Sequence, residues 1–113
     1  PNIPVIETLK RLRSSGSEIW VWSGRMEFVR PQTERWLVKH AGMKLEEIQS
    51  TGLLMMRPDD DWTADNFLKI RWLKEMSPSD RARLVAAFDD RDRVVDAFRM
   101  QGVACFQVNY GRF

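Results

Sequence analysis

Three small groups of residues have the types and spacing to do chemistry. Asp89 and Asp90 are adjacent carboxylates that follow the apolar run Leu84 to Phe88. Ser23, Gly24 and Arg25 follow a second apolar run, and Asp65 and Lys69 stand four residues apart. Two carboxylates at the carboxyl end of a buried strand suit a hard cation such as magnesium, because that edge of an open α/β sheet is where ligands bind. The alternative is that Asp90 or Asp92 caps the helix that follows. A hydroxyl, a glycine and a guanidinium in succession suit phosphoryl oxygens, through a small donor, a close backbone and a fixed fork of N–H groups. An ordinary turn after a strand would use the same tripeptide. Asp65 and Lys69 have the i, i+4 orientation of a helical ion pair, which at a surface contributes only a few tenths of a kcal/mol.

Other polar residues carry less. Asp59, Asp60 and Asp61 lack the Gly and Glu spacing of a calcium loop and fit a solvated turn. His40 is the only histidine and has no second His or Cys at metal spacing, so it fits an exposed place in the last turn of a helix. Cys105 is the only cysteine and lies in the apolar run Val103 to Val108, which suits a small core residue and excludes an internal disulfide.

Alternating elements must position these groups. A first helix begins near Pro4, carries Val5, Leu9 and Leu12 on one stripe and stops at Gly16. EIWVWSGR follows as a strand apolar on both faces that ends at Ser23 to Arg25. A second helix runs from Pro31 to His40, with Trp36 and Leu37 turned inward and Gly42 closing it. TGLLMM, Thr51 to Met56, is a third apolar strand, and Ala64 to Met76 a third helix that SPSD breaks. From Arg83 to Val108 the order is strand, acidic turn, helix with Val94, Val95 and Phe98 on its apolar face, Gly102 and strand. Strands alternating with helices predict a doubly wound parallel α/β sheet.

Composition bounds the function classes. With 113 residues, 43% hydrophobic and 30% charged, the chain reads as one globular domain over 1–113, neither disordered nor repetitive. No stretch reaches membrane-spanning length and PNIPVIETLKRLRSSG lacks a signal-peptide core, so a cytoplasmic protein with no membrane partner is the expectation. Eighteen basic against 16 acidic side chains leave a net charge of only +2, which does not by itself argue for nucleic acid.

Taken in order, WVWSGR, the helix RWLVKHAGM, Asp65 with Lys69, and DDRDRVVDAFRMQGVACFQV resemble the haloacid dehalogenase superfamily, and most closely the 3'-phosphatase domain of phage polynucleotide kinases. The resemblance covers nearly the whole chain. It implies that Ser23 hydrogen-bonds the transferring phosphoryl group, that Gly24 and Arg25 bind substrate, that Lys69 neutralises charge on the phosphoryl group and is oriented by Asp65, and that Asp89 or Asp90 holds Mg2+. It also implies an aspartyl-phosphate route, acting on a phosphorylated nucleic acid end. A nucleotide or small-molecule monophosphatase on the same fold is the alternative enzyme, and a non-catalytic phosphate-binding or assembly module the alternative outside enzymes. That family's nucleophile is the first Asp of a DxDGT motif. No aspartate precedes Asp59, so the nucleophile strand is expected upstream of Pro1 and the chain alone is expected to be inactive. A kinase domain in the same polypeptide is compatible with the resemblance, but no GxxxxGK[ST] loop occurs in these residues.

Overall fold

The computed structural model describes residues 2–113, which divide into two compact units, 2–61 and 62–113.

In the first unit, helix α1 (Ile3–Ser14) starts where Asn2 Oδ1 accepts the N–H of Val5 at 3.4 Å, with Pro4 in the first turn. Ile6 is the residue this helix buries, whereas Leu12, expected on the apolar stripe, is exposed. Strand β1 (Val21–Met26) pairs in parallel with β2 (Leu54–Arg57). Between them run a single 3-10 turn, α2 (Arg30–Ala41) and α3 (Leu45–Thr51). Helix α2 extends one residue beyond the predicted limits at each end, with Pro31 in its first turn and Gly42 at φ 67° just past its end, a left-handed conformation that glycine adopts without strain. Its inward face differs from expectation: Thr33, Glu34 and Leu37 are buried, while Trp36 lies outside that stripe with its ring 5.0 Å from His40, one turn on. His40 is accordingly half-buried rather than exposed. Leu37, Met43, Ile48, Leu53, Leu54 and Met56 form the core, with Ile19, Trp20, Val21 and Val29 packed against it.

The second unit contains α4 (Asp65–Glu75), α5 (Pro78–Arg83), β3 (Ala87–Asp89), α6 (Asp92–Met100) and β4 (Cys105–Gln107). SPSD breaks the chain as expected: Met76 is extended, and Ser77 Oγ then accepts the N–H of Asp80 to start the short α5. That helix runs to Arg83, so the strand occupies only the last part of the apolar run and extends onto Asp89 itself. Strands β3 and β4 are parallel, with Ala87 opposite Cys105 and Asp89 opposite Gln107, and the rings of Phe88 and Phe106 stack at 5.3 Å. Helix α4 packs on α6, and Leu68, Trp72, Leu73, Val94, Val95 and Phe98 are buried. Parallel strands joined through helices make this an α/β fold, as the alternation predicted.

Candidate active site

Ser23, Gly24 and Arg25 sit in the first unit, inside a strand rather than after it. Ser23 is opposite Met56, but the next paired residue, Met26, is opposite Arg57, so Gly24 and Arg25 bulge out of the ladder. A bulge re-aims side chains and leaves backbone groups to be satisfied elsewhere. Here Arg57 does this. Its Nε donates to the Gly24 carbonyl at 2.8 Å and its Nη1 to the Asp61 carbonyl at 3.0 Å, while Ser23 Oγ accepts the N–H of Arg25 at 3.1 Å. The Arg25 side chain is exposed. Asp59, in the loop after β2, accepts the N–H of Phe28 at 3.0 Å, so this acidic loop braces the start of the turn after β1. Among the described residues no group of three His, Cys, Asp or Glu side chains gathers as a metal cluster, there or elsewhere.

The second unit brings Asp65, Lys69 and Asp89 together. Lys69 is only 7% exposed, and its ammonium lies 2.9 Å from Asp89 Oδ2 and 3.3 Å from Asp65 Oδ2. Helix α4 presents Asp65 and Lys69 one turn apart on one face, and the end of β3 supplies Asp89. This is no exposed surface pair: both carboxylate side chains are nearly as buried as the lysine. Removing two such charges from water costs several kcal/mol per ion, which only close pairing and further hydrogen bonds offset. Asp89 has those bonds, because its Oδ1 accepts the N–H groups of both Asp90 and Arg91, at 2.9 and 3.0 Å. Arg91 adds a second cation, with Nη1 3.7 Å from Asp65 Oδ2.

The Asp90 side chain stands apart from this network. It is exposed, and among the described residues its carboxylate accepts no hydrogen bond and joins no ion pair. The capping alternative fails for both candidates. Arg91 is the residue preceding α6 and makes no side-chain cap, and Asp92 Oδ1 instead accepts from Gln107 Nε2 at 2.6 Å. Cys105 is buried and has its thiol pKa pushed up, first by burial and then by the Asp89 carboxylate, so it is a core residue rather than a nucleophile.

The end of β3 and the first turns of α4 thus hold one ammonium between two largely buried carboxylates, with the exposed Asp90 carboxylate next in sequence. Over residues 1–113 the chain matches the polynucleotide kinase PNKP phosphatase domain. It belongs to that family. Among solved structures, the chain is similar to one in the "Structure of Pnkp1/Rnl/Hen1 complex", with a TM-score of 0.79 and 34% identity over 99% of this chain and 37% of that one. It is also similar to a chain in the "Structure of the Pnkp1/Rnl/Hen1 RNA repair complex", with a TM-score of 0.80 and 33% identity over 99% of this chain and 34% of that one. The chain thus spans about a third of the length of the chains it matches. No curated protein matched it.

Arg57 and Arg91 escaped the sequence analysis. Their partners are backbone carbonyls, an acid and a ring brought near by folding, and the only local signal was a basic residue adjoining each acidic turn.

Proposed function

We propose that the domain is the phosphoryl-handling part of a magnesium-dependent phosphatase acting on polynucleotide 3'-phosphate ends. The observation that carries this is the buried Lys69 ammonium held between Asp65 and Asp89, with the uncommitted Asp90 carboxylate next in sequence. A lysine fixed by two acids presents a point charge that does not have to reorganise when negative charge develops on a transferring phosphoryl group. Asp65 and Asp89 are positioning residues for it.

The acidic pair divides in role. Asp89 has one oxygen on Lys69 and the other on two backbone amides, so Asp90 is the carboxylate open to Mg2+. Such a donor set fits that ion, which keeps several waters and takes one or two carboxylates together with substrate phosphate. Bound there, Mg2+ would neutralise phosphate charge. Ser23 and Gly24 offer a hydroxyl and a close backbone to phosphoryl oxygens, and Arg25 offers its guanidinium to the substrate. The nucleophilic aspartate, whose attack forms the aspartyl phosphate, would come from a DxDGT segment outside these residues.

Similarity to a chain of an RNA repair complex supports RNA ends as substrate, and kinase or repair partners in the same polypeptide or complex. The test is phosphate release by the complete polypeptide from a 3'-phosphorylated oligonucleotide, a 5'-phosphorylated one and free nucleotides, with Mg2+ and with chelator. Preference for the 3' end and loss of activity with chelator are expected. Faster hydrolysis of free nucleotides would replace this substrate with the small-molecule alternative, and activity unaffected by chelator would reject the metal.

A further inference from the structure

We propose that Arg91, Tyr110 and Phe113 form a platform on which the terminal nucleoside of the substrate stacks, an inference that rests on the polynucleotide substrate proposed above. After β4 the chain does not leave the domain but folds back over the acidic turn. Val108 N–H bonds the Asp89 carbonyl at 3.1 Å, and Asp92 N–H bonds the Gly111 carbonyl at 2.6 Å. Gln107 Nε2 donates to the Asp90 carbonyl at 3.1 Å. Gly111 is buried so tightly that an added Cβ would lie 1.8 Å from the Asp90 carbonyl oxygen.

This firmly anchored backbone nevertheless holds its rings in solvent, with Tyr110 96% and Phe113 58% exposed. Exposed rings on an anchored segment offer flat apolar faces on which a ligand can stack. The surroundings say which. Gln107, Val108, Asn109 and Tyr110 line an open hollow of about 350 Å3, so two amide side chains and a phenol are among the groups that border it. The Arg91 guanidinium lies 4.8 Å over the Phe113 ring while also reaching Asp65, and the exposed Arg112 stands between Tyr110 and Phe113 in sequence. Rings interleaved with guanidinium groups suit a flat base and its anionic backbone, since each base offers a π face and each linkage a negative charge. An apolar protein partner would leave the two arginines and two amides to be desolvated.

The experiment compares, in the complete polypeptide, kcat/KM for a 3'-phosphorylated oligonucleotide with kcat/KM for p-nitrophenyl phosphate, which has no base. Stacking of one base predicts that Tyr110→Ala and Phe113→Ala each lower this ratio roughly 10-fold. The drop should reside mainly in the oligonucleotide KM, and Tyr110→Phe should retain the ratio. Met100→Ala, an exposed apolar residue at the far end of α6, should leave it unchanged. An oligonucleotide carrying a photoreactive 3'-terminal base should crosslink to the segment 107–113. If the wild type hydrolyses the oligonucleotide but neither ring variant changes the ratio, the platform is overturned alone, whether the rings are bare or covered by protein. A wild type that hydrolyses only the small ester overturns the polynucleotide substrate and the platform together.

Discussion

The Lys69 ammonium donates to Asp89 Oδ2 at 2.9 Å across 20 positions of sequence, joining the middle of α4 to the last residue of β3. One bond therefore serves both the fold and the charge that would face a phosphoryl group.

Those two contributions separate in a double-mutant cycle. Lys69→Met leaves Asp65 and Asp89 facing each other and should cost about 3–5 kcal/mol of stability. Adding Asp89→Asn should recover part of that loss in the melting temperature, because the stranded charge is gone. Phosphatase turnover in the complete polypeptide should stay down by about 100-fold or more in both variants. Near-normal turnover in a folded Lys69→Met protein would reduce the pair to a structural role.

Asp90→Asn should abolish Mg2+-dependent activity with little change in stability, since its carboxylate has no partner among the described residues to lose. Asp60→Asn is the matching control, because Asp60 is exposed at φ 61° and Asn tolerates that conformation as well as Asp does. Titrating Mg2+ against activity in both variants distinguishes them, and a metal response lost in Asp60→Asn but kept in Asp90→Asn would move the cation to the other loop.

The Cys105 thiol, raised by burial, should react slowly with a disulfide reagent in the native protein at pH 8 and quickly after unfolding. A folded-state value above the unfolded one means that the thiol's contribution to stability is complete below about pH 8.5 and is lost as pH rises through the folded value. Denaturation at pH 7 and pH 10 should show this alkaline loss in the wild type and a smaller one in Cys105→Ala.

Each sheet among the described residues has two strands, so each strand has a ladder on one side only. Unpaired strand edges invite pairing with another chain. Residues 1–113 expressed alone should self-associate at micromolar concentration, and a peptide carrying the DxDGT strand should suppress this and raise the melting temperature. Sedimentation with and without the peptide is the check, and a monomer indifferent to the peptide is the opposing result.

Elements with local punctuation were legible in the sequence. Pro31 and Gly42 bounded α2, and the i, i+4 spacing put Asp65 and Lys69 on one face of α4 before their burial was known. Short elements were not. Helix α3 buries Ile48 alone, so it has no apolar periodicity to read, and the run Leu84 to Phe88 could not reveal that α5 runs up to Arg83 and leaves β3 only its last part. Trp36 was misplaced because bulk suggested burial, whereas the spacing of Thr33 with Leu37 set the inward stripe. The bulge at Gly24 and Arg25 arises from register against β2, which no local pattern encodes.

The bond from Asp92 N–H to Gly111, with the steric closeness of Gly111 to Asp90, ties the last residues to the acidic turn. Deuterium uptake at the Asp92 amide is therefore a gauge of whether that strap is fastened. While it is docked the amide is shielded, and each transient peeling exposes it to solvent at a rate that measures the free energy of this one opening. A nucleic acid seated on the rings of the strap would slow that exchange without touching the amide itself.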